Sequence, residues 1–229
     1  MKYTGVIFDF NGTLFWDTEL HNEAWRILLD KYDLHISDEE MFRRFHGKNN
    51  RSILPEMFRG VLPEEEIPGM GLKKERIYQQ LCVQSGLTLA PGATEFIESL
   101  PGNGVAYTIA TSSEKENVDF FFDHFGLSRW FEYDKVVYDD GQIACKPAPD
   151  IYLKAMKNIN RIPSEVIVFE DAVAGIQAAE NARAGRIIIV DSHNFDYSSW
   201  NWNYQKIKNF GEVDLDMLRL FPKKGCPPV

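Results

Sequence analysis

Residues 4–14 read TGVIFDFNGTL, a short β-branched run that ends in an acid, an amide, a glycine and a hydroxyl. Thr4–Asp9 lacks the apolar/polar alternation of a strand with one wet face, so it reads as a strand buried on both sides of a parallel sheet. Four further runs share that character: GVAYTIAT at 104–111, KVVY at 135–138, EVIVFED at 165–171 and RIIIVD at 186–191. Helical patterns over 114–125, 150–158 and 172–183 separate the later runs. Strand alternating with helix predicts βαβ units and a doubly wound, parallel-sheet α/β core.

The interval between the first two strands breaks that rhythm, because it is far longer than one crossover helix needs. It carries helical patterns at 17–32, 37–45, 52–59 and 73–84, the second opened by a capping box from Ser37 to Glu40. The economical organisation is an α/β core over 1–15 and 90–229, with an all-helical cap over 16–89. A second capping box, Ser113 with Glu116, is expected to start the helix after strand two.

A chain of 229 residues can bury a full core without staples. The net charge of −9 disfavours nucleic acid and anionic membranes as partners. No apolar run reaches the length of a membrane span, and the N-terminus carries no basic region followed by an apolar stretch. Cys82, Cys145 and Cys226 are odd in number and never form a CxxC pair, which points to a reducing, cytoplasmic setting and away from a zinc site. A monomer is expected, with a dimer left open.

In open parallel sheets, ligands sit beyond the carboxyl ends of the strands. There the sequence gathers Asp9, Asn11 and Gly12 after strand one, Thr111 and Ser112 after strand two, Lys146 before a helix, and Glu170 with Asp171 after the fourth run. That inventory suits phosphoryl transfer. A carboxylate can attack phosphorus, further carboxylates can hold Mg²⁺, and a hydroxyl with a lysine can neutralise the equatorial oxygens. Singly, each residue has a plainer reading. Asp171 could be the N-cap of the helix that follows, and Lys146 a surface residue before proline.

FDFNGTL, ATSS, CKPAPD and FEDAVAGIQAA, in this order, resemble the motifs of the haloacid dehalogenase superfamily. Within it the chain is similar to the β-phosphoglucomutase-like phosphatases with a helical cap inserted after the first motif. The resemblance implies Asp9 as nucleophile and Thr111 and Lys146 as ligands of the transferred phosphoryl group. It also implies a Mg²⁺ site from Asp9, the Asn11 carbonyl, Glu170 and Asp171, with Asp171 the more direct of the acidic pair. The substrate it implies is a small phosphorylated metabolite, such as a sugar phosphate.

The chain departs from that pattern at Asn11, where the family carries an aspartate that acts as general acid and then base. A neutral amide does neither. Several readings stay open. They are a phosphatase favouring acyl or aryl phosphates, a substitute acid in His21 or Glu19, a phosphometabolite binder with vestigial catalysis, and an Asp-to-Asn inactivated phosphatase or mutase. Asn11-Gly12 could also deamidate through a succinimide to restore the acid.

On the cap, His21 and Trp25 share a helix face, His21 as a candidate substrate contact and Trp25 as core. Lys48, in the loop GKNNR at 47–51, and Lys74 are further candidate substrate contacts. The run Lys73-Lys74-Glu75-Arg76 otherwise reads as a solvated face. The aromatic stretch YSSWNWNY at 197–204 is either a partner surface or a cover for the sheet's edge.

Overall fold

A computed structural model gives the structure of the chain, describing residues 3–218; Cys226 lies outside them. Six parallel strands form one sheet: β1 (Gly5–Phe8), β2 (Ala106–Glu114), β3 (Val137–Asp139), β4 (Val166–Glu170), β5 (Arg186–Val190) and β6 (Gln205–Ile207). Their order is β3-β2-β1-β4-β5-β6. β1 and β4 are buried throughout, as their unbroken apolar runs require. β6 was not anticipated. Only one of its three residues is buried, so it carries no apolar signal.

Alternate residues of the strands feed two layers. Val6, Phe8, Ile167 and Phe169 face one side, where Phe8 stacks on Phe169 at 5.4 Å and Phe96 and Phe210 close the aromatic cluster. Ile7, Val166 and Val168 face the other, against α7 (Asp150–Asn158) and α8 (Val173–Asn181). Two more helices, α5 (Ala93–Gly102) and α6 (Lys115–Phe125), contribute to the first layer. In the stretch 197–204, Tyr197 is buried in the second layer. Trp200, Trp202 and Tyr204 pack against that layer in a ladder of 5.7 and 6.3 Å, so the stretch covers the sheet near its β6 edge.

Between β1 and β2 lie α1 (Thr18–Leu29), α2 (Asp38–Glu40), α3 (Asn50–Met57) and α4 (Pro68–Ser85). Trp25, Leu28 and Leu29 recur at helical spacing and meet Leu54, Phe58 and Met70 in a cluster of their own. Ser37 Oγ accepts from the Glu40 amide at α2's start. A π-helical turn follows over Met41–Phe45. Met41 and Phe45 enter the helical cluster, while Phe42 belongs to the layer beside the sheet and stacks on Phe195 at 3.7 Å. α4 begins earlier than its periodicity suggests because Pro68 suits a first helical turn, and it stops at Gly86 in the left-handed region.

Near the strand ends, the expected Ser113 cap does not form, and the plainer reading of Asp171 as an N-cap does not hold either. β2 continues through Ser113 to Glu114, so the box with Glu116 does not form; Ser113 Oγ donates to Asn11 Oδ1 instead. The N-cap of α8 is Ala172, and the Asp171 carboxylate turns away to accept from Thr13. Among the described residues, no helix is long and apolar enough to cross a membrane.

Candidate active site

β1 delivers Asp9 to the carboxyl edge of the sheet, where its amide still donates to Phe169 of β4. The chain then folds back at once, with the Gly12 amide on Phe15 O and the Phe15 amide on Phe10 O. Gly12 sits at φ +78, and a Cβ there would stand 2.1 Å from Asp171 Oδ2. The turn therefore needs glycine twice, for its backbone and for its approach to a carboxylate. Thr13 Oγ1 donates to Asp171 Oδ1 at 3.0 Å, fastening the loop to the end of β4.

Asp9, Glu170 and Asp171 are buried and bring carboxylate oxygens within 4.8 Å of one another. Lys146 Nζ donates to Asp9 Oδ1 at 2.6 Å and to Glu170 Oε1 at 2.5 Å. Glu170 is otherwise saturated, by the Tyr152 hydroxyl and by the backbone amides of Asp171 and Ala172. Burial pushes the Asp9 carboxyl up to about 8 against the pull of Lys146, with Glu170 adding like charge. Burial and the charge of Glu170 raise Asp171 as well. Three buried carboxyl groups stand beside one lysine, and with no other cation among them their hard oxygens form a donor set that suits a divalent cation.

These groups edge a cavity between the sheet and the helical segment. Asp9, Asn11, Gly12, Thr111, Ser112 and Asp171 line it from the sheet. His21, Lys48 and Lys74 line it from the helices. Lys146 and Glu170 stand behind Asp9, off the wall. Ser112 Oγ donates to Gly47 O at 2.7 Å, tying the two sides together. Lys74 is buried; its Nζ lies 2.6 Å from His21 Nδ1 and 3.0 Å from Glu75 Oε1. Glu75 also accepts from Asn50 and from Asn117 of α6, and against the push of burial these partners hold its carboxyl below the usual range. The solvated-face reading thus holds for the exposed Lys73 and Arg76 and fails for Lys74 and Glu75. Trp25 is buried in the helical cluster and also reaches the cavity wall.

Asp17 escaped the sequence reading. It occupies the N-cap of α1 but caps nothing. Its buried carboxylate accepts from Asn11 Nδ2 at 2.6 Å, from the Gly12 amide at 2.9 Å and from Tyr78 OH, and faces His21 Nε2 at 3.4 Å. Burial would raise it, yet His21 together with the Tyr78 and Asn11 hydrogen bonds holds it below the usual carboxylate range. A DT pair at a helix start is so common a cap signal that it hides an inward-facing acid. The Gly12 amide is shared between Asp17 Oδ1 and Phe15 O, which fixes the Asn11-Gly12 turn.

A family model for haloacid dehalogenase-like hydrolases matches residues 3–183. The chain belongs to the haloacid dehalogenase-like hydrolases. Among curated relatives of this hydrolase is the phosphorylated carbohydrates phosphatase of Thermotoga maritima, 29% identical over 80% of this chain and 82% of its own. Another is the fructose-1-phosphate phosphatase YqaB of Escherichia coli, 30% identical over 79% of this chain and 93% of its own. The crystal structure of a HAD hydrolase of family IA, variant 3, from Entamoeba histolytica superposes with a TM-score of 0.83 at 32% identity, covering 95% of this chain and 98% of that one. The expected family, the α/β core and the phosphohydrolase class are borne out together.

Proposed function

We propose that this hydrolase is a Mg²⁺-dependent phosphatase that cleaves a small phosphorylated metabolite, such as a sugar phosphate, through a phosphoryl group carried on Asp9. The buried set of Asp9, Glu170 and Asp171 around a single lysine is the observation that carries the reading. The names of the relatives, phosphatases of phosphorylated sugars, support the substrate class.

Asp9 lies on the cavity wall with Lys146 fixing one of its oxygens, so the other is free to meet phosphorus in line. Thr111 and Ser112 offer hydroxyls to the phosphoryl oxygens, and Lys146 supplies charge from behind. Asp9, Asp171 and the Asn11 carbonyl would hold the cation, with Glu170 beneath them; bound there, Mg²⁺ supplies charge neutralisation for the phosphoryl oxygens. Residues 16–89 act as a cap over the core of 1–15 and 90–229, closing on a substrate that His21, Lys48 and Lys74 touch from above and excluding water. The two described free thiols, Cys82 and Cys145, suit the reducing conditions of a cytoplasm.

The test is phosphate release from a panel of sugar, nucleotide, aryl and acyl phosphates, with Mg²⁺ and with a chelator. It is paired with mass analysis of acid-quenched protein for a phosphoryl adduct on Asp9. Metal-dependent release that is lost in Asp9→Asn upholds the reading. Asn11 favours one other reading, a phosphometabolite binder with vestigial catalysis. Tight binding without release from any donor would establish that binder instead.

A further inference from the structure

Asn11 is held on both sides of its amide. Nδ2 donates to Asp17 Oδ2 at 2.6 Å and to Tyr78 OH at 3.2 Å. Oδ1 accepts from Ser113 Oγ at 2.8 Å and, more weakly, from Thr111 Oγ1 at 3.4 Å. The Asp17 carboxylate sets this orientation, since a flipped amide would aim oxygen at oxygen. Asp17 is itself buried and pinned by the Gly12 amide and Tyr78 OH, so it cannot swing away. A carboxylate at position 11 would have no hydrogen to give Asp17 and would set two like-charged oxygens at hydrogen-bond distance in a poorly solvated place. The surroundings of residue 11 are built for an amide.

We propose that Asp17 is a positioning residue that commits position 11 to an amide. The enzyme accordingly selects phosphorylated metabolites whose leaving oxygen departs unprotonated, acyl phosphates foremost, over phosphate esters of ordinary alcohols. The proposal rests on the phosphatase reading above and narrows its substrate class. In the first half-reaction an Asp9 oxygen bonds to phosphorus while the bond from phosphorus to the acyl oxygen breaks. The electron pair leaves with that oxygen, which departs as a carboxylate and takes no proton. In the second, water oxygen bonds to phosphorus, the Asp9–phosphorus bond breaks, Asp9 regains its carboxylate, and both water protons leave on the released phosphate. Neither half draws a proton from residue 11, whose amide instead holds the Ser113 hydroxyl in place.

The test compares the wild type with Asn11→Asp, Asp17→Asn and the exchange variant carrying both, on acetyl phosphate, p-nitrophenyl phosphate and glycerol phosphate with Mg²⁺. Thermal melting is followed on each protein. The wild type is expected to show kcat/KM at least about 10²-fold higher for acetyl phosphate than for glycerol phosphate, the scale of a missing general acid. Asn11→Asp alone should melt lower and leave that gap open. The exchange variant, which keeps one amide and one carboxylate in contact, should recover the melting temperature and narrow the gap by about tenfold or more. A wild type that cleaves glycerol phosphate as well as acetyl phosphate overturns the proposal without any variant. So does an Asn11→Asp protein that closes the gap with undiminished melting. If no protein of the four releases phosphate from any donor, the phosphatase reading fails and the proposal falls with it.

Discussion

Lys146 Nζ lies 2.5 Å from Glu170 Oε1, with both side chains fully buried, and from that footing it also holds Asp9. Removing the ammonium leaves two carboxylates facing each other without a cation. Lys146→Met should cost about 3–5 kcal/mol of stability, the usual toll for breaking a buried pair from one side. Urea unfolding in a chelator would measure it. A loss under about 1 kcal/mol would mean the carboxylates are neutralised some other way.

Gly175 lets α8 lie against the same acid. A Cβ there would stand 1.6 Å from Glu170 Oε1, whereas one at Gly69, within α4, would meet nothing. Gly175→Ala should therefore destabilise by about 1–3 kcal/mol and slow phosphate release, because a displaced Glu170 releases Lys146. Gly69→Ala should be neutral or stabilising by up to about 1 kcal/mol. Melting curves of the two variants side by side check the contrast.

His46 gives the chain a pH dependence. Its Nε2 meets Asn22 Oδ1 at 2.9 Å, and burial, with His21, His193 and Lys74 outweighing Asp17, pushes the imidazole down to about 3. Between the ordinary histidine value and that one, the unfolded chain binds a proton the folded chain refuses. Stability from this residue is therefore lost as pH falls through the interval, with a slope of at most about 1.4 kcal/mol per pH unit. His46→Gln, compared with the wild type by urea unfolding near neutrality and at mildly acid pH, should show a shallower loss. Identical slopes would refute it.

Phe42 and Phe195 stack face to face between the helical segment and the sheet side. Truncating Phe195 to alanine should loosen closure over the cavity. An aromatic pair worth about 0.5–1.5 kcal/mol translates to a KM raised about two- to tenfold, with kcat changed less. Steady-state kinetics on the best donor would show whether the loss falls on KM; a pure kcat effect would place Phe195 elsewhere in the cycle.

Five strands were legible because each includes a short apolar, β-branched stretch without alternation, and reading their ends found Asp9, Asn11, Thr111, Glu170 and Asp171 at one edge of the sheet. β6 stayed hidden because an edge strand of three residues buries too little to leave a pattern. Asp17, Tyr78 and Glu75 were missed for a different reason. Each belongs to a helix or its cap, where local chemistry mimics an ordinary cap, core aromatic or surface charge. Only tertiary approach turns them inward: α1 and α4 onto the β1 loop for Asp17 and Tyr78, and α3 and α6 onto α4 for Glu75. Strand ends announce a site in sequence; a wall brought in from another layer does not.

The π-helical turn at Met41–Phe45 bears on how this enzyme can be rebuilt. Neighbouring residues there, Met41 and Phe42, serve two separate hydrophobic clusters. A chimera that exchanged residues 16–89 for the equivalent stretch of another hydrolase would lend the sheet side a stranger's aromatic, or none, beside Phe195. Recombination at residues 15/16 and 89/90 alone should yield poorly soluble chains, and transplanting Phe195 and Tyr197 with the graft should rescue them. The helical stretch is thus inherited together with part of the framework beneath it.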